Sequence, residues 1–216
     1  MRLLTSSFAA LALTASIGCT AANAGTFGYS NYSVLSPATV TLTDTRLGVD
    51  ETGLAGQITL YPTIGTALST FCFDIQHLLT QSGTFTTGTF LTGTIASSIN
   101  ALLAHVLPTL ATDSDASAAL QVAIWKTEYG RDLTVTSQST TVLSKADSYI
   151  ASLTSGAWKP DATKTVAFLN GNGIDQNQIY LTAVPEPATV SILGLSLAGL
   201  LALRHRVIRK RAAALS

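Results

Sequence analysis

A thiol, a carboxamide on an apolar face and a few imidazoles are the groups in this 216-residue chain whose types could do chemistry. There are two cysteines, Cys19 and Cys72. Cys19 falls in an apolar N-terminal run that reads as a leader, so Cys72 is the lone cysteine of the mature chain. It then has no partner for an internal disulfide in a compartment that favours one. Set between Phe71 and Phe73, it is either a small core residue or a nucleophile. Gln121 lies beside Leu120 and Ala123 on a helical face that reads as buried, where an amide needs hydrogen-bond partners. His77 follows Cys72 by five residues and His105 sits in a helical stretch. That pair of residue types would suit a cysteine–histidine hydrolase, but neither histidine stands in a motif. Asp113 and Asp115 read as helix caps, and the scattered histidines have no metal-ligand spacing, so neither metal nor cofactor is expected. Glu128, Asp132, Lys126 and Arg131 read as a solvated helix end. Without a Gly-rich phosphate loop or a basic, aromatic patch, nucleotide and nucleic-acid binding find no support.

The elements that must position these groups follow from periodicity. Thr-, Val- and Leu-rich runs such as Ala38 to Thr43, and the run Ala67 to Ile75 that carries Cys72, read as strands. The Gly- and Thr-rich stretch Ser82 to Thr94 reads as a break. Apolar residues at helical spacing predict a helix from about Ile95 to Val106, stopped by Pro108. A second helix is capped by Asp113, Ser114 or Asp115, carries Gln121 and ends at Gly130. A third runs from about Thr140 to Leu153. Strands return at Thr165 to Leu169 and Gln178 to Thr182, around a turn-rich Asn170 to Gly173. Strands, then helices, then strands predict an α+β fold, a β-sandwich or barrel-like sheet with a three-helix insert.

Charge is unevenly spread. The whole chain is formally neutral, with twelve basic and twelve acidic residues. Between Gly25 and Glu186 stand six basic residues against all twelve acidic ones, a formal charge of −6. An acidic domain between basic ends is a poor partner for nucleic acid.

Residues 1–24 read as a signal peptide and signal helix, with Arg2 as the positive start, an apolar Leu3 to Ile17 and a small-residue cleavage site at Ala22-Asn23-Ala24. A rival reading takes Ser16-Ile17-Gly18-Cys19 as a lipoprotein signal with Cys19 acylated. At the other end, Pro185-Glu186-Pro187 precedes an uncharged stretch from Ala188 to Leu203 and a basic cluster of Arg204, Arg206, Arg209, Lys210 and Arg211. The uncharged stretch, as a helix, spans roughly 24 Å, short of a hydrocarbon core of about 30 Å, so it suits a transient transmembrane helix. The basic cluster holds the C-terminus in the cytoplasm and everything before Pro185 outside. This ordered tail, residues 184–216, resembles the PEP-CTERM sorting signal. The resemblance implies recognition by an exosortase-type membrane protease, cleavage near Pro185-Glu186-Pro187, and delivery to the cell surface or extracellular matrix.

Residues 25–183 form the remaining domain. Within it, Phe71-Cys72-Phe73-Asp74 and Leu120-Gln121-Val122-Ala123-Ile124-Trp125 together resemble the two signatures of the bacterial thioester domain of surface adhesins. The resemblance implies a thioester between Cys72 and Gln121, formed with loss of ammonia and supported by Phe71, Phe73, Asp74 and Trp125. Attack by an amine or hydroxyl on a surface polymer or protein would then fix the chain to its target once per molecule, reactivity without enzymatic turnover. The competing expectation is a non-reactive structural protein of an extracellular matrix or biofilm with an inert buried cysteine.

Overall fold

A computed structural model describes residues 25–184. The signal peptide, the Pro185-Glu186-Pro187 motif, the expected transmembrane helix and the basic cluster lie outside the described residues. Among the described residues, no helix is long and apolar enough to cross a membrane.

The chain starts with two long strands, β1 (Thr26–Asp44) and β2 (Val49–Pro62), paired antiparallel over almost their whole length. Their alternation of buried and exposed residues, as at Val40, Leu42 and Asp44, is the period of a strand with one face on a core. The ladder slips between Leu35 and Ala38, where Ser36 adopts a positive φ of 42°. Three shorter strands complete one wall: β3 (Leu68–Cys72), β4 (Gly83–Phe90) and, after the helices, β5 (Leu133–Ser137). The last two strands are β6 (Lys164–Asn170) and β7 (Gln178–Ala183).

The sheet runs in the order β2-β3-β7-β6-β4-β1-β5, and β2 also pairs with β1, so the first six strands in that order close on themselves. Every pairing is antiparallel. β4 and β6 are neighbours, and the chain between them leaves the ring to form α1 (Gly93–Val106), α2 (Ala116–Tyr129), β5 and α3 (Thr140–Thr154). The result is a large antiparallel sheet with three helices inserted between adjacent strands.

Two strands went unseen in the residue pattern. The Ser82 to Thr94 stretch holds β4 and the first turn of α1, and Leu133 to Ser137 forms β5 against β1. Conversely, the expected Ala67 to Ile75 strand ends at Cys72. Glu128, expected in solvent, is half-buried, and burial raises its carboxyl above the usual range.

The helices differ in how they are used. α1 stops where Pro108 enters a 3-10 turn, and α3 is capped by the Ser139 hydroxyl accepting from the Val142 N–H at 3.3 Å. Every residue of α2 from Ala116 to Trp125 is buried. A helix apolar on all sides belongs inside a core. α2 is packed between α1, α3 and the β1–β2 wall. Its polar residues therefore need internal partners. Ser117 shows how, donating to the Leu35 carbonyl at 2.8 Å and accepting from the Gln57 N–H at 2.7 Å, so that it ties α2 to the slipped ladder.

Candidate functional site

Cys72 is the last residue of β3, where the strand changes neighbours. β2 pairs with Leu68 to Thr70, while β7 pairs with Phe71 and Cys72, placing Cys72 opposite Gln178. With β2 gone, the Cys72 N–H and C=O have no strand on that side, and Gln121 takes its place. Its Oε1 accepts from the Cys72 N–H at 2.8 Å and its Nε2 donates to the Cys72 C=O at 2.8 Å. The carboxamide acts as one residue of a missing strand, and the fully buried Gln121 is thereby satisfied.

This arrangement fixes the geometry on the other side. Because its N–H and C=O face Gln121, Cys72 forms a non-hydrogen-bonded pair with Gln178, the kind whose side chains stand closest. The flanking bond fits that register, with the Phe73 N–H donating to the Asn177 carbonyl at 2.8 Å.

Two other glutamines surround the sulfur. Gln176 Oε1 lies 2.6 Å from Cys72 Sγ, and Gln178 Nε2 lies 3.5 Å from it. Gln176 is held at its far end by Nε2 donating to the Asp74 carbonyl at 2.7 Å. Gln178 is held by the buried Thr70 hydroxyl, which donates to its Oε1 at 3.0 Å, and by its own Nε2 donating to the Gln176 carbonyl at 3.2 Å. Burial pushes the Cys72 thiol up to about 12, and the Asp74 charge adds to the rise while the Gln178 hydrogen bond opposes it. The group is thus held as a neutral thiol.

The remaining expected residues divide between walls and supports. Phe71 is fully buried, and Phe73 packs edge-to-face on Phe168 with ring centroids 5.6 Å apart. Asp74 is buried and acts as a hub: its Oδ2 accepts from the Asn177 N–H at 2.7 Å and its Oδ1 from the His77 N–H at 3.1 Å. Trp125 is buried one turn beyond Gln121, and its indole N–H has no partner. Two turns beyond Gln121, the Tyr129 hydroxyl accepts from the Ile75 N–H at 3.2 Å, so α2 grips the chain at both residue 72 and residue 75. Burial pushes that hydroxyl up to about 12.

The structure thus brings Cys72, Gln121, Asp74 and the aromatic walls together, with Gln121 facing the backbone of Cys72 and Gln176 and Gln178 facing its sulfur. Thr70, Gln176 and Gln178 were missed in the sequence. The signal for the glutamines was the Gln176-Asn177-Gln178 alternation at the start of a strand, which puts both amides on one face. His105 lies elsewhere, stacked on Trp158 with centroids 5.0 Å apart. Among the described residues, no cluster of His, Cys, Asp or Glu could hold a metal ion.

Comparison with known proteins bears on the tail. Residues 183–207 match the PEP-CTERM protein-sorting motif. The chain therefore carries the signal of exported proteins that an exosortase, a membrane protease, processes toward the cell surface. No curated protein and no solved structure matches the chain.

Proposed function

We propose that this exosortase-sorted domain forms an internal thioester at Cys72 and uses it for one covalent attachment to a surface or matrix partner. The observation that carries the reading is the 2.6 Å approach of Gln176 Oε1 to Cys72 Sγ inside a dry, fully hydrogen-bonded site. That separation puts the sulfur in contact with a carboxamide carbon, the positioning that intramolecular acyl transfer needs.

On this geometry the acyl group comes from Gln176, and Gln121, the partner implied by the thioester-domain signatures, holds the nucleophile's backbone. Sulfur attacks Gln176 Cδ, the C–N bond breaks, and the thiol proton leaves with the amide nitrogen as ammonia. The neutral thiol suits this route, because the proton passes to the departing nitrogen and no buried thiolate has to persist. Gln178 Nε2 donates to the sulfur throughout. A thioester is a much better acyl donor than an amide. An amine or hydroxyl of the partner then takes the acyl group as an amide or ester and returns the Cys72 thiol.

The intact mass of the purified chain, with and without methylamine, tests this. A native mass lower by one ammonia, shifting to a methylamine adduct, is expected, and peptide mapping places the adduct on Gln176. An adduct on Gln121 or Gln178 would move the acyl role to that residue. A full sequence mass, inert to amine, with Cys72 alkylated after unfolding, leaves a non-reactive structural domain of the matrix.

A further inference from the structure

Asp74 connects the Cys72–Gln176 contact to an imidazole. Its carbonyl accepts from Gln176 Nε2 at 2.7 Å, and its Oδ1 lies 3.3 Å from His77 Nδ1 while also accepting the His77 N–H at 3.1 Å. A carboxylate only accepts, so this contact calls for a proton on Nδ1 and leaves the lone pair on Nε2. Asp74 is buried, whereas the His77 side chain is 37% exposed. The imidazole therefore stands where the buried network meets solvent, on the side from which a partner arrives. Among the described residues the other histidine, His105, is stacked on Trp158 and takes no part.

Resting on the thioester reading, we propose that His77, oriented by Asp74, is the general base that directs this thioester toward hydroxyl-bearing partners such as polysaccharides. A free amine attacks a thioester unaided, whereas a hydroxyl must lose its proton as it attacks. His77 Nε2 takes that proton while the oxygen bonds to the acyl carbon of residue 176. The tetrahedral species collapses, the C–S bond breaks, and the same proton passes from Nε2 to the departing sulfur. The products are an ester on the side chain of residue 176 and the Cys72 thiol. Proton return matters here, because a buried Cys72 thiolate is a costly leaving group.

The test follows the mass of wild-type and His77→Gln chains during reaction with glycerol or methylamine, in H2O and D2O. His77→Gln is expected to keep the one-ammonia deficit, to slow the glycerol reaction by roughly 100-fold, the scale of general-base catalysis, and to change the methylamine reaction far less. Free imidazole should restore part of the glycerol rate to His77→Ala. Unchanged glycerol kinetics in a variant that retains the deficit overturns the role of His77 and leaves the thioester standing. If the variant does not fold, the wild-type protein decides: a glycerol reaction equally fast in H2O and D2O also overturns it. Absence of the deficit in wild type removes the thioester itself, and His77's role with it.

Discussion

The two sides of Cys72 are built from the same functional group and put to opposite uses. On the α2 side, one carboxamide pairs with the backbone and leaves the sulfur alone. On the β7 side, two carboxamides turn to the sulfur and leave the backbone alone. A buried glutamine is thus not informative by its type. What decides its role is whether a strand neighbour is missing, as it is where β2 departs, or present, as it is along β7.

That contrast can be broken in steps. Replacing Gln176 by Ala should have the largest chemical effect, abolishing the ammonia deficit and exposing a Cys72 thiol that alkylates after unfolding, with the fold retained in circular dichroism. If Gln176→Ala retains the deficit and Gln178→Ala loses it, the roles of the two residues exchange. Gln121→Ala should instead act mainly on stability. It orphans the buried N–H and C=O of Cys72, each costing about 1–3 kcal/mol, so a drop of roughly 3 kcal/mol in denaturant unfolding is expected. A loss under about 0.5 kcal/mol would show that the backbone grip is dispensable. Thr70→Val removes one donor to Gln178 with little change in shape. Slower thioester formation on refolding, with final yield preserved, is expected, and an unchanged rate would remove Thr70 from the site.

The smallest effect is on pH dependence, in the Gln176→Ala background where the thiol is free. The ordinary thiol value of 9.0 applies to the unfolded chain, and burial raises the folded value to about 12. The unfolded chain then loses its proton first, so this contribution to stability is full below about 9 and declines as pH rises toward 12. Tyr29, Tyr129 and Tyr149 add their own decline, being raised from 10.0 to about 12. Adding Cys72→Ala should remove only the part that begins near 9. Superimposable stability curves for the two variants would contradict the burial of the thiol.

Much of this was legible because the periodic signals are local. Pro108 and Gly130 marked helix ends, and Leu120 to Trp125 marked a helix face that had to be buried. Cys72, Gln121 and Asp74 could be picked out as one site, but which atoms meet could not, since that depends on β3 changing partners between Thr70 and Phe71. β4 was hidden because Gly83-Thr84-Phe85-Thr86-Thr87-Gly88 pairs glycines with polar residues, and only Phe85 is buried. β5 was hidden because its five residues gain their order from the edge of β1. Thr70 carried no signal, since its role exists only opposite Gln178.

The join between β3 and β7 spans only two residue pairs. On the proposed chemistry, the captured partner ends up on residue 176, two positions before β7, and β7 runs directly into the sorting motif that begins at residue 183. A pull on the partner would travel along a single short strand to the cell-side end of the chain. The closed sheet and its helices would stay out of the load path, so the tether could hold under tension that unfolds the rest of the domain.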